Sequence, residues 1–137
     1  MPRLTRVLET AIYAADLAAA EAFYTGVLGL NVYGRAEGRH LFYKLDDQML
    51  LIFNPDATLK PLQPGARYPV PPHGAGEKGH VCFRASAPEI EDWRRHLEAE
   101  GVVIEADFRW QSGGRSIYFR DPAGNSLEFA EANIWNL

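Results

Sequence analysis

The sequence predicts an α+β chain built of two βαβββ modules whose mixed sheets form cups. Three observations lead there. The same order of elements occurs twice, a Pro-rich stretch separates the two occurrences, and matching landmarks recur at a nearly constant interval. Glu9 and His80 are 71 residues apart, Phe23 and Trp93 are 70 apart, and Gly29 and Gly101 are 72 apart. Slippage of about one residue is what a diverged internal duplication leaves.

Module one covers about residues 5–54. Its first strand, over 7–14, puts Leu8, Thr10, Ile12 and Ala14 on one face and Val7, Glu9, Ala11 and Tyr13 on the other. Asp16 caps the helix "LAAAEAFYTGVL", in which Leu17, Ala20, Phe23, Tyr24, Val27 and Leu28 recur at helical spacing. Gly29 ends it. The strands "NVYGRAE", "RHLFYKL" and "QMLLIFN" follow, the last two parted by the turn signal Asp46-Asp47.

From Pro55 to Gly79 the chain holds six prolines and four glycines. The segment reads as a linker without regular structure. Loops this long in compact domains are usually functional or mobile. Module two then runs over about 80–131. "HVCFRA" is a strand, and Ser86 with Glu89 forms a capping box. The helix it opens aligns Ile90, Trp93 and Leu97, and Gly101 closes it. "VVIEADFRW", "RSIYFRD" and "NSLEFAE" complete the module. The two modules together make a single domain of 137 residues.

Composition narrows the function. The net charge is −4 and no basic run occurs, which argues against a nucleic-acid partner. Cys82, the single cysteine, cannot form an internal disulfide; it reads as a small buried residue in a reducing, cytoplasmic compartment. No apolar run approaches membrane-spanning length, so no membrane partner is expected.

Strand alternation sorts the polar residues. If Leu8 and Ile12 face a helix, Glu9 faces the cup. By the same rule Val81 and Phe83 send His80, Cys82 and Arg84 inward, and Leu127 and Phe129 send Ser126 and Glu128 inward. Taken singly, a strand glutamate is ordinarily solvated and a histidine ordinarily a hydrogen-bonded core residue. Three strands agreeing on one face is the stronger observation. Two carboxylates and one imidazole suit a divalent first-row metal with positions left open for substrate. A closed structural zinc site prefers Cys and His. Without a cation the carboxylates would repel each other. Ser116, Tyr118 and Arg120 share a strand face beside Glu128. Tyr118 is a candidate donor to a developing oxyanion, and Arg120 a candidate to bind an anion or orient Glu128. On an outer face that arginine would be a solvated charge. Arg67 and His73 in the linker are candidate lid residues, and Arg39 and His40 belong to an edge.

The stretches "ETAIYAADLAAAEAFYTGVLGL", "GHVCF" and "RSIYFRDPAGNSLEF" resemble the vicinal oxygen chelate superfamily: glyoxalase I, bleomycin resistance proteins, extradiol dioxygenases and fosfomycin resistance thiol transferases. The resemblance covers about residues 5–131. It implies paired βαβββ modules with a divalent metal in the cup, Mn, Fe, Ni, Co or Zn. Its metal ligands match Glu9, His80 and Glu128. Many members have His or Gln at the first of these positions. Glyoxalase I takes a fourth ligand from the strand matching "QMLLIFN", which here offers no carboxylate or imidazole. The resemblance also implies a homodimer and a small-molecule substrate. Three functions are compatible with it: a metal-dependent lyase, isomerase or transferase on a small oxygenated substrate; an Fe²⁺-dependent ring-cleaving dioxygenase; and a non-catalytic small-molecule binding protein.

Overall fold

Each half of the chain builds a four-stranded sheet, and both sheets have the same connectivity. A computed structural model describes residues 1–76 and 78–137. It divides into two compact units, Met1–Glu77 and Lys78–Leu137. Glu77, within the predicted linker, lies outside the described residues.

In the first unit the strands are β1 (Glu9–Tyr13), β2 (Val32–Ala36), β3 (His40–Lys44) and β4 (Met49–Phe53), in the order β1-β4-β3-β2. β1 runs parallel to β4, and the other pairs are antiparallel. Ile12, Leu41, Tyr43, Leu50 and Ile52 are almost fully buried on one sheet face, together with Ala20 and Tyr24 of the helix. Leu8 departs from expectation. It precedes the strand, and its side chain is 72% exposed; only its carbonyl joins the sheet, accepting from the Met49 N–H.

The Asp16 carboxylate accepts from the Ala19 N–H at 2.9 Å and starts α1 (Leu17–Glu21). The helix then widens into a π-helix over Ala22–Val27, with the Leu28 N–H bonding the Phe23 carbonyl. The linker is not wholly irregular. Pro55 opens a short helix, α2 (Pro55–Thr58), because the first helical position needs no N–H and Asn54 supplies the cap.

The second unit holds β5 (His80–Arg84), α3 (Ala87–Ala99), β6 (Ala106–Arg109), β7 (Arg115–Arg120) and β8 (Ser126–Ala130), with the sheet ordered β5-β8-β7-β6. The capping box forms as read: Glu89 N–H bonds the Ser86 hydroxyl, and the Ser86 N–H bonds the Glu89 carboxylate at 2.7 Å. Ile90, Leu97, Ile117, Phe119 and Leu127 are fully buried, and the Trp93 ring stacks on Phe129 at 4.6 Å. β6 is shorter than the predicted strand over 102–110.

Candidate functional site

In the second unit, register brings the polar residues together. Parallel pairing sets His80 against Ser126 and Cys82 against Glu128, and antiparallel pairing sets Tyr118 against Glu128. Leu127 and Phe129 enter the core, so Glu128 takes the opposite face, as alternation requires. That face is not open solvent, because Glu128 is only 5% exposed.

His80 is oriented by the backbone. Its Nδ1 lies 2.9 Å from the Ser126 carbonyl oxygen. A carbonyl only accepts, so Nδ1 carries the proton and donates. Nε2 is then left facing Glu128 Oε2 at 3.2 Å. The other carboxylate oxygen, Oε1, is buried without a hydrogen-bond partner among the described residues. A lone pair facing a carboxylate oxygen is relieved by a proton on Nε2, which makes an ion pair, or by a metal cation shared between them. Two atoms ligating one ion at about 2.0–2.2 Å are separated by about 2.8–3.1 Å at right angles and about 3.3–3.6 Å at tetrahedral angles, which bracket this distance. A backbone carbonyl holding the far ring nitrogen is also the usual support of a metal-binding histidine. The residues present fit a divalent ion on both counts. Among the described residues, no group of three His, Cys, Asp or Glu side chains is gathered for a metal.

The carboxylate acts on its neighbours. Burial first, and then Glu128, pushes the Tyr118 hydroxyl up to about 12. Desolvation by surrounding atoms, and then Glu128, pushes the Cys82 thiol up to about 12 as well. Cys82 is exposed rather than buried as expected, yet it stays protonated at neutral pH. The His80 and Tyr118 rings stack at 6.1 Å, and Phe108 stacks on Tyr118 at 5.8 Å, forming an aromatic row. Ser116 is fully buried and accepts from Trp110 Nε1. Arg84 is exposed.

Arg120 behaves differently from the candidate role read for it. Its Nε and Nη2 make a bidentate pair with the Glu105 carboxylate, at 2.7 and 2.9 Å, and Nη1 donates to the Gly124 carbonyl. Its donors are engaged with its own sheet edge. Sequence reading missed this because Glu105 precedes β6 in an irregular stretch, where alternation assigns no face.

Glu9 stands in the first unit, at the start of β1, and makes no hydrogen bond or ion pair among the described residues. It lines a cleft of about 1060 Å³ together with Ala11, His40, Phe42, Leu51 and Phe53. The lining residues of β4 are Met49, Leu51 and Phe53, so that strand offers no metal donor.

The sequence model of the Glyoxalase/Bleomycin resistance protein/Dioxygenase superfamily matches residues 6–129. The chain belongs to that superfamily. Its fold matches the crystal structure of a lactoylglutathione lyase from Agrobacterium tumefaciens, with TM-score 0.92 and 41% identity over 99% of this chain and 100% of that one. A glyoxalase family protein from Enterococcus faecalis matches at TM-score 0.67 and 26% identity, over 92% of this chain and 97% of that one. A superfamily member from Nocardioides, at 21% identity and TM-score 0.74 over 96% of this chain and 85% of that one, shares the fold. Among the described residues no helix is long and apolar enough to cross a membrane.

Proposed function

We propose that the chain is a metal-dependent superfamily enzyme, a lyase or isomerase of glyoxalase type acting on a small molecule with two neighbouring oxygens. His80 Nε2 and Glu128 are its metal ligands. The observation that carries this is the buried Glu128 carboxylate. One of its oxygens has no hydrogen-bond partner among the described residues, and the other faces an imidazole whose far nitrogen donates to a backbone carbonyl. A divalent cation bound there would hold both substrate oxygens and stabilise the charge that develops on them.

The protein's own groups have separate tasks. The Ser126 carbonyl keeps His80 in the tautomer that leaves Nε2 basic. Tyr118, protonated across the neutral range, donates a hydrogen bond to a substrate oxygen as it gains charge. The Tyr118–Phe108 row gives the substrate an apolar wall that excludes water. Without metal, desolvation and then the Glu128 carboxylate keep Cys82 a thiol. Arg120 would reach a substrate only by leaving Glu105. The name of the Agrobacterium relative supports a lyase.

The test is to purify the protein without chelator, measure bound metal, and follow thermal stability as each divalent ion is added back. The proposal predicts about one ion per chain and a rise in Tm on rebinding. A protein that binds ligands equally well with and without chelator, and takes up no ion, would instead be a binding protein. A homodimer is part of the proposal, checked by light scattering on the eluting protein.

A further inference from the structure

We propose that the cleft of the first unit binds a small carboxylate with an apolar body. As a substrate class this rests on the enzyme reading above; as a binding site it stands apart from the metal.

Charge is the first observation. Among the described residues most arginines are in ion pairs: Arg6 with Asp47, Arg35 with Glu21, Arg94 with Glu91, Arg95 with Asp92, Arg109 with Glu131, Arg115 with Asp107, and Arg120 with Glu105. Arg39, Lys60 and Arg67 have no ion pair among the described residues, and all three line this cleft. Glu9 is the single acid on the lining. A chain of net charge −4 thus gathers three cations against one acid around one cavity. Guanidinium groups so placed recognise carboxylates, bidentately where geometry permits.

His40 is the second, independent observation. Its ring lies flat on Phe42, with centroids 3.9 Å apart and planes 4° apart, and edge-on to Phe53. Its Nδ1 is buried and has no hydrogen-bond partner among the described residues. Burial, and then the Arg39 charge, lowers its basicity, so the ring is neutral near pH 7. A neutral imidazole offers one N–H and one lone pair. A buried nitrogen left unbonded is destabilising, and a ligand group reaching it would satisfy it.

Much of the rest of the lining is apolar, with Leu51, Phe53, Leu62, Tyr68 and Val70 beside the polar Thr58, Gln63 and His73. The ligand therefore carries its charge at one end and an aliphatic or aromatic body at the other. The volume, about 1060 Å³, is ample for a metabolite-sized molecule. His73 fixes the linker over the cleft: its Nδ1 lies 2.8 Å from the Tyr13 hydroxyl, and its ring packs edge-on against Phe53.

The experiment is isothermal titration of the chelator-treated protein with 4-phenylbutyrate and with its neutral amide. The wild type is compared with the Arg39→Gln/Arg67→Gln double variant and with His40→Phe, which keeps the stack and removes the nitrogens. The acid is expected to bind at least about tenfold tighter than the amide. The double variant should erase that preference, and His40→Phe should weaken acid binding several-fold at unchanged circular dichroism. Equal affinity for acid and amide, no binding of either at millimolar concentration, or acid binding that appears only with metal and survives the double variant would overturn the proposal. A wild type that takes up no metal would sink the enzyme reading and leave these titrations unaffected.

Discussion

His80 Nε2 stands 3.2 Å from Glu128 Oε2, while the other ring nitrogen of His80 is bonded to the Ser126 carbonyl. The pairing follows from two parallel strands, β5 and β8, whose register sets His80 beside Ser126 and Cys82 beside Glu128. The arrangement holds a buried carboxyl group with an oxygen that has no hydrogen-bond partner among the described residues, a destabilising feature unless a cation shares it.

Glu128→Gln therefore has opposite effects in the two states. Metal-free, it removes a buried charge and should raise stability by about 1 kcal/mol. With divalent metal present, it should lose the stabilisation the wild type gains. Denaturant unfolding with and without added ion measures both.

Tyr118→Phe keeps the ring in its stack between His80 and Phe108 and deletes the hydroxyl. Turnover should fall by about 100-fold, the usual loss on removing one oxyanion donor. Metal content should not change. Steady-state kinetics, once a substrate is in hand, together with elemental analysis, separate the two.

Acid sensitivity has a local source on α3. Hydrogen bonds from Arg94, and then Arg115, hold the Glu91 carboxyl down at about 2, below its ordinary 4.5. Arg115 also makes a bidentate pair with Asp107, whose carboxyl it lowers. A group with a depressed folded-state pKa stabilises the fold above its unfolded value, and that contribution is lost as pH falls through the folded one. Wild-type Tm should thus drop between pH 4.5 and about 2 more steeply than that of Glu91→Gln. Parallel curves for the two proteins would contradict this assignment.

Ser86→Ala removes one half of the capping box at the start of α3. The expected loss is about 1 kcal/mol, read as a lower denaturant midpoint at unchanged slope.

Much of this was legible in the sequence because strand alternation is a strict rule. Once Leu127 and Phe129 are assigned to the core, Glu128 has one remaining direction, and the same holds for His80 beside Val81. Capping by Asp16 and Ser86 was legible because each satisfies N–H groups a few residues away. The rule fails where the strand has not begun, as at Leu8, and where the partner comes from an irregular segment, as Glu105 does for Arg120. The π-helix over Ala22–Val27 carries no pattern distinct from an α-helix over the same residues. The cleft was also hidden: Lys60, Arg67 and Tyr68 come from the Pro-rich linker, whose path no periodicity predicts, and they meet β3 and β4 only in the fold.

The most direct test of the central claim is the metal-to-protein ratio of wild type and Glu128→Gln, each purified without chelator and equilibrated with Mn²⁺, Fe²⁺, Co²⁺, Ni²⁺ or Zn²⁺. The account predicts close to one tightly held ion per wild-type chain and almost none in the variant. A wild type that retains no ion, or a variant that retains as much as the wild type, would contradict it.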